Sequence, residues 1–352
     1  MGLRKKLRPD HHTIAHFRRD HLKPLREVCR AFTLLCTQLD LFGGELVAIA
    51  GRKFRAVNAK GRHLTNAKLE PVIAQIEARV AGYLTELEAA DDQDEAGTPG
   101  GARAADLQTK IEALRGRRRR YEDLPAALEG RGHDQLSLTD PDRRAMKGGH
   151  RGGTAVCANV QTAVEAKHKR IVACDVANDP TDRDWLSPLA LAAKAILGGA
   201  FAAVAEVGSY HGHAVKQCLQ AGMTPSIARP MTAANQQLGL FSKDAFTYAA
   251  ATDTYGCPAG EVLSCRFATV ERGRHMRDDA TSAGRTCALN AQCTRHQGGR
   301  RITRWVDEPR LEPMEQRVRA RPEIRPPRKE LGAPPFGTMK RGGDQGDCLM
   351  RG

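Results

Sequence analysis

Apolar residues recur at helical spacing near the start of the chain. Ile14, Phe17, Leu22, Leu25, Val28, Phe32, Leu35 and Leu39 step by threes and fours, which predicts amphipathic helix over 11–39 with Asp10 as N-cap and Gly43 and Gly44 as the stop. Pro24 is expected to kink or divide it, because proline lacks the N–H and clashes with the preceding turn. The apolar run 45–50, bounded by glycine on both sides, predicts a buried strand, with 52–57 as a candidate hairpin partner. A second helical period runs through Leu69, Val72, Ile76, Val80, Tyr83 and Leu87, and a third through Leu107, Ile111, Leu114, Tyr121 and Leu124. The acidic, turn-rich stretch 91–104 separates them, so an antiparallel coiled hairpin is expected. Two β-rich runs, around Val160, Thr162 and Val164 and then over 171–176, predict a β-hairpin. Asp182 and Asp184 are expected to open a helix through Ala193, with a strand at 204–206 and a helix at 213–220. Strands, a hairpin and alternating helices together predict a mixed α/β sheet.

Composition adds a partner class to that outline. The 352 residues, 41% of them hydrophobic, can supply a core, and 55 Lys and Arg against 41 Asp and Glu give a net charge of +14. A pI near 9.5 favours a polyanion, nucleic acid first, over acidic small substrates. The run 115–120, with Arg117, Arg118, Arg119 and Arg120, is either a phosphate contact or a solvated helix face. Arg300, Arg301 and Arg304 form a second basic stretch, and Lys340 and Arg341 a third. The basic first eight residues lead to His11 and His12 rather than to an apolar core, so no secretory signal is expected. The apolar stretch 186–207 is interrupted by Pro188 and Lys194 and carries Glu206, which argues against a membrane span. A cytoplasmic chain with no membrane partner is the expectation.

Ten cysteines in such a chain point to thiols or metal ligands before disulfides. Cys257, Cys265, Cys287 and Cys293 cluster in sequence. A zinc ribbon wants close cysteine pairs on each side, and only Cys287 and Cys293 are close, so reduced thiols are expected rather than ordered zinc. A tetrahedral site on Cys257, Cys287 and Cys293 would need Cys265 or His296 as its fourth ligand.

Several strings, in order along nearly the whole chain, resemble the DDE transposases of bacterial insertion sequences. They are 7–11 with 17–20, Leu41 to Glu45, Phe54 to Asn58, Leu138 to Asp142, Asn159 to Val164, Cys257 to Gly260, Arg301 to Trp305, Pro335 to Lys340 and Leu349 to Gly352. The resemblance implies an RNase H-like mixed sheet with an inserted helical hairpin and a cysteine-containing, ribbon-like insertion. It also implies DNA as partner, in particular insertion-sequence ends, and a homo-oligomer. Two Asp and one Glu in such enzymes hold two Mg²⁺ ions, which activate the attacking oxygen and stabilise the leaving one.

This chain departs from that pattern at all three acids. The first Asp position is Ala50, the second is Glu206, and the Glu of the last helix is Ala333. Relatives also carry a cysteine where this chain has Gly284. The resemblance therefore implies a degenerate, pseudogene-like copy in which Glu206 alone remains as a weak metal ligand and Mg²⁺ is not bound productively. Glu330, one turn before Ala333, is a poor substitute, since Pro334 and Pro335 are expected to prevent a regular helix there. The implied organisation is 1–43, remnant of an N-terminal helical domain; 44–64, first strands of the core; 65–136, helical hairpin; 137–250, rest of the core; 251–300, cysteine insertion; and 301–352, a truncated C-terminal part. The alternatives are a non-catalytic DNA-binding remnant and a poorly folded product of a decayed gene.

Overall fold

In the computed structural model the described residues are 10–56, 58, 62–95, 101–129, 134–147, 153–230, 235, 237–320, 325–342 and 347–348. In chain order the elements are α1 (His11–Asp20), α2 (Leu22–Gln38), β1 (Leu46–Ala56), β2 (His63–Thr65), α3 (Asn66–Glu95), α4 (Gly101–Glu122) and α5 (Leu124–Glu129). There follow β3 (Gln135–Ser137), β4 (Arg144–Lys147), β5 (Thr154–Glu165), β6 (Ile171–Ala177), α6 (Leu186–Leu197), β7 (Ala202–Ala205), α7 (Gly212–Gln220) and β8 (Thr224–Ser226). The last third holds β9 (Thr247–Ala249), β10 (Thr254–Gly256), β11 (Val262–Glu271), β12 (Arg274–Ala280), α8 (Asn290–Cys293), β13 (Arg301–Trp305), α9 (Glu308–Ala320), α10 (Arg325–Gly337) and β14 (Asp347–Cys348).

β1 is the spine of a mixed sheet. It pairs antiparallel with β5 on one side and parallel with β7 on the other. Beyond β5 lies antiparallel β6, and beyond β7 lies parallel β8. The order β6-β5-β1-β7-β8 is extended by β4 beside the start of β5 and by β14 beside the end of β1. Side chains alternate along a strand, so β1 serves two layers. Val47 and Ile49 face α6, α7 and α9 in one cluster with Leu186, Leu189, Val215, Leu311 and Met314. Ala48, Ala50 and Phe54 face Leu331 and Phe336 of α10 on the other side. A sheet buried on both faces explains why 46–50 reads as a continuous apolar run.

Strands β9 to β13 make a separate antiparallel sheet in the order β13-β12-β11-β10-β9. β13 ends on Trp305, which packs in the main core. α3 and α4 lie against each other through Leu69, Ile76 and Tyr121, closed at one end by Leu64 of β2 and Leu136 of β3.

The predicted mixed α/β class, the α3–α4 hairpin and the β5–β6 hairpin are present, with several differences in detail. The described residues 46–56 are not a hairpin: β1 runs unbroken through Gly51, whose missing side chain is required by close approach and not by a turn. A Cβ at Gly51 would collide with Gln161 Nε2 and Asp182 Oδ1. The helix break falls at His21, and Pro24 sits in the first turn of α2, where its absent N–H leaves no hydrogen bond unmade. α6 begins at Leu186, later than Asp182, because the Asp182 side chain is drawn to β5. Part of the expected linker 91–104 is helical, in α3 up to Glu95 and in α4 from Gly101. Pro334 and Pro335 lie inside α10, held there by burial of Leu331 and Phe336 on either side of them. Among the described residues no helix is long and apolar enough to cross a membrane.

Candidate functional site

Of the three positions singled out by the resemblance, 50 and 206 are neighbours in the fold, and 333 follows the α10 residue that crosses over Ala50. β1 and β7 run parallel with Ile49 opposite Ala205, so the next residues, Ala50 and Glu206, stand side by side, and Ala50 packs toward Phe336 of α10. Gly332 of α10 crosses directly over Ala50; a Cβ there would lie 2.8 Å from the Ala50 Cβ. Ala333 is its neighbour, exposed on α10. Glu206 follows β7 directly with extended backbone (φ −71°, ψ 155°), and its carbonyl accepts from the N–H of Ser209 at 2.9 Å.

The donor set here does not fit Mg²⁺. Two of the three positions present methyl groups, and a hard divalent cation requires oxygen ligands. Asp182 is near in sequence space to none of them but near in the fold to Gly51. It lies on the opposite face of β1, where Asn159 Nδ2 donates to its Oδ1 at 2.8 Å and Gln161 Nε2 does so at 2.5 Å. It is therefore engaged with β5 and turned away from Ala50. Glu330 is exposed on α10 one turn before Ala333.

The basic residues fare unequally. Arg115 to Arg120 are exposed on α4, but Arg118 pairs with Glu77 at 3.1 Å and Glu122 at 2.8 Å, and Arg117 donates to the Tyr121 hydroxyl at 3.0 Å. Arg119 and Arg120 remain outward. Arg301 is exposed and stacks on Phe267, and Arg300 lies over Phe246. Arg304 corrects the expectation of a nucleic-acid contact. It is 3% exposed, donates to Tyr255 and Glu312 at 3.0 and 2.7 Å, and lies 3.6 Å from the Tyr248 ring centre. It is a structural arginine of the second sheet. Lys340 caps the Lys53 carbonyl at 3.0 Å over the Phe54 ring. The side chain of Arg341 and the string Leu349 to Gly352 lie outside the described residues.

Cys257, Cys287 and Cys293 converge on a cavity of about 30 Å³ with Phe246, Leu263 and Arg300. Burial pushes the Cys293 thiol up, opposed by Arg300 and reinforced by the other two sulfurs. A closed zinc site does not fit: Cys265 is exposed and bonds the Phe267 carbonyl, and His296 Nδ1 accepts from Gly298. Neither lines the cavity, while the Arg300 cation does.

A further cluster was not legible in the sequence. Arg183, His211, Arg229, Arg272 and Arg274 line a cavity of about 380 Å³ with Asp184, Tyr210, Gly212 and Pro230. The residues come from the loop before α6, the start of α7, the stretch after β8, and the β11–β12 turn with the first residue of β12. Their sequence separation hid the grouping. His211 Nδ1 lies 2.9 Å from Asp184 Oδ1. Burial holds the His211 pKa below its ordinary value; Asp184 pulls it up, and His213, Arg274 and Arg183 push it down.

Beside this cavity an ionic network centred on one buried carboxylate ties the second sheet to the first. Glu308, 6% exposed, accepts from Lys243 at 2.8 and 3.0 Å and from Arg229 at 2.9 Å. Burial alone would raise the Glu308 pKa, but the two cations outweigh it and hold it low. Comparison with known proteins contributes no neighbour: no family model, no curated protein and no solved structure matches the chain.

Proposed function

We propose that the chain is a DDE transposase by descent, with an RNase H-like core that keeps nucleic-acid binding and has lost metal-dependent cutting and joining of strands. The carrying observation is that positions 50 and 206, chosen on sequence resemblance alone, fall side by side on β1 and just past β7, with α10, which carries position 333, crossing over Ala50 through Gly332. The strand order β6-β5-β1-β7-β8, antiparallel on one side of β1 and parallel on the other, supports the same reading. In it, α3–α4 and the sheet β9–β13 are insertions into the core.

Loss of chemistry follows from the donor count. Two-metal catalysis holds its ions about 3.5–4 Å apart with shared carboxylates, and one Glu among two alanines cannot fix such a pair. Binding needs no such geometry. A net charge of +14 and outward cations at Arg119, Arg120 and Arg301 favour a phosphate backbone. Self-association has its own support in the apolar side of α1 and α2, where Phe17, Val28, Phe32 and Leu39 are each more than half exposed.

The test is binding of a DNA duplex as a function of salt. Each neutralised phosphate adds about −0.9 to the log–log slope, so a slope of several units is expected. A flat response would remove the nucleic-acid reading.

A further inference from the structure

Guanidinium groups repel one another, and Arg183, Arg229, Arg272 and Arg274 share one cavity with a single lining carboxylate, Asp184. That carboxylate is already turned to His211. Arg229 is neutralised by Glu308 and Glu315; among the described residues Arg183, Arg272 and Arg274 have no ion-pair partner. Such a convergence raises the energy of the empty cleft and is relieved by an anion. The arginine fork matches phosphate oxygens two at a time. Gly212 opens α7 at the same cavity, and no side chain caps that helix, which leaves its first N–H groups for an anion.

We infer that this cleft seats a backbone phosphate of a nucleic-acid strand, an inference that rests on the nucleic-acid reading above. Its place in the fold favours a strand over a free ion. Arg229 lies just past the end of β8, and His211 follows Glu206, itself just past β7, by one short turn. The cleft thus adjoins the carboxyl ends of the parallel strands, the usual ligand side of such sheets. Its volume of about 380 Å³ exceeds what a lone phosphate fills and admits the sugar with it.

Arg272 and Gly273 both have positive φ, 50° and 75°, as the two-residue turn of a β-hairpin requires. Asparagine suits the first of these positions better than arginine, so Arg272→Asn removes charge without disturbing the turn. The test compares the full chain with the triple variant Arg183→Gln, Arg272→Asn, Arg274→Gln. A control variant carries Arg26→Gln, Arg30→Gln and Arg79→Gln on α2 and α3. Anisotropy of a labelled DNA duplex is read across salt, and thermal unfolding checks that each variant folds.

The cleft variant is expected to bind at least about tenfold more weakly with a slope shallower by about 2–3, while the control stays within about twofold. An unchanged slope in a folded cleft variant, with the parent still binding, overturns the inference and leaves the nucleic-acid reading standing. Failure of the parent itself to bind at low salt overturns both. Inorganic phosphate provides the last arm: if it saturates the cleft in the millimolar range while the variant keeps full duplex affinity, the occupant is a free ion and the strand assignment is wrong.

Discussion

Gly332→Ala probes the packing that brings α10 over the Ala50–Glu206 pair. The added methyl would lie 2.8 Å from the Ala50 Cβ, whereas apolar carbons rest about 3.5–4.0 Å apart, so α10 must lift by roughly 1 Å. Leu331 and Phe336, 5% and 3% exposed, would lose contact on the same face. Overpacking of this kind costs about 1–3 kcal/mol. Against it stands the gain of about 1 kcal/mol from replacing a helix-interior glycine by alanine. Gly82→Ala supplies the reference, since Gly82 lies inside α3 with nothing within 4 Å of its would-be Cβ. Urea unfolding followed by circular dichroism should therefore place Gly332→Ala about 1–3 kcal/mol below Gly82→Ala. Adding Ala50→Gly, which removes the opposing methyl, should recover about 1 kcal/mol of the coupling. If Gly332→Ala stabilises the chain as much as Gly82→Ala does, α10 does not cross β1 at Ala50, and the approach of α10 to positions 50 and 206 is lost.

Two further outcomes follow from the ionic network and the thiols. Glu308→Gln leaves the part-buried Lys243 without its carboxylate partner, while Arg229 keeps Glu315, and should cost about 1.5–3 kcal/mol in equilibrium unfolding. Because the folded pKa of Glu308 is depressed, its stabilisation is present above the unfolded value of 4.5 and drains as pH falls below it; the variant should lose less stability than the parent across that acid window. Metal analysis of protein purified without chelator should find well under one equivalent of zinc, and Cys257→Ser should leave that figure unchanged. One equivalent that Cys257→Ser abolishes would show that the three thiols recruit a fourth ligand.

The regular periodicities were readable because each depends on a single element. Apolar residues spaced for one helix face gave α3 and α4, and the alternation around Val160 and Val164 gave β5. Where a second element decides, local pattern misleads. Gly51 looks like a strand terminator, yet it is glycine because Gln161 and Asp182 occupy the space where its side chain would be. Pro334 and Pro335 look like a helix stop, yet Leu331 and Phe336 bury enough apolar surface against β1 to carry α10 through them. The basic run of 115–120 was visible as a run, but Arg304 in its own basic stretch is consumed by Tyr255, Glu312 and Tyr248. The arginine cleft had no signature, since residues 183, 229, 272 and 274 become neighbours only through the joining of the two sheets.

The central claim is that 50, 206 and 333 are the positions of a former metal-binding triad. Its most direct test is Mn²⁺ binding and strand cleavage measured side by side for the parent and for the triple reversion Ala50→Asp, Glu206→Asp, Ala333→Glu. The parent is expected neither to cleave DNA nor to bind Mn²⁺ tightly, and the reversion to gain a Mn²⁺ site for which Mg²⁺ competes. Metal-dependent cleavage by the parent, or a reversion that binds Mn²⁺ no better than the parent does, would contradict it.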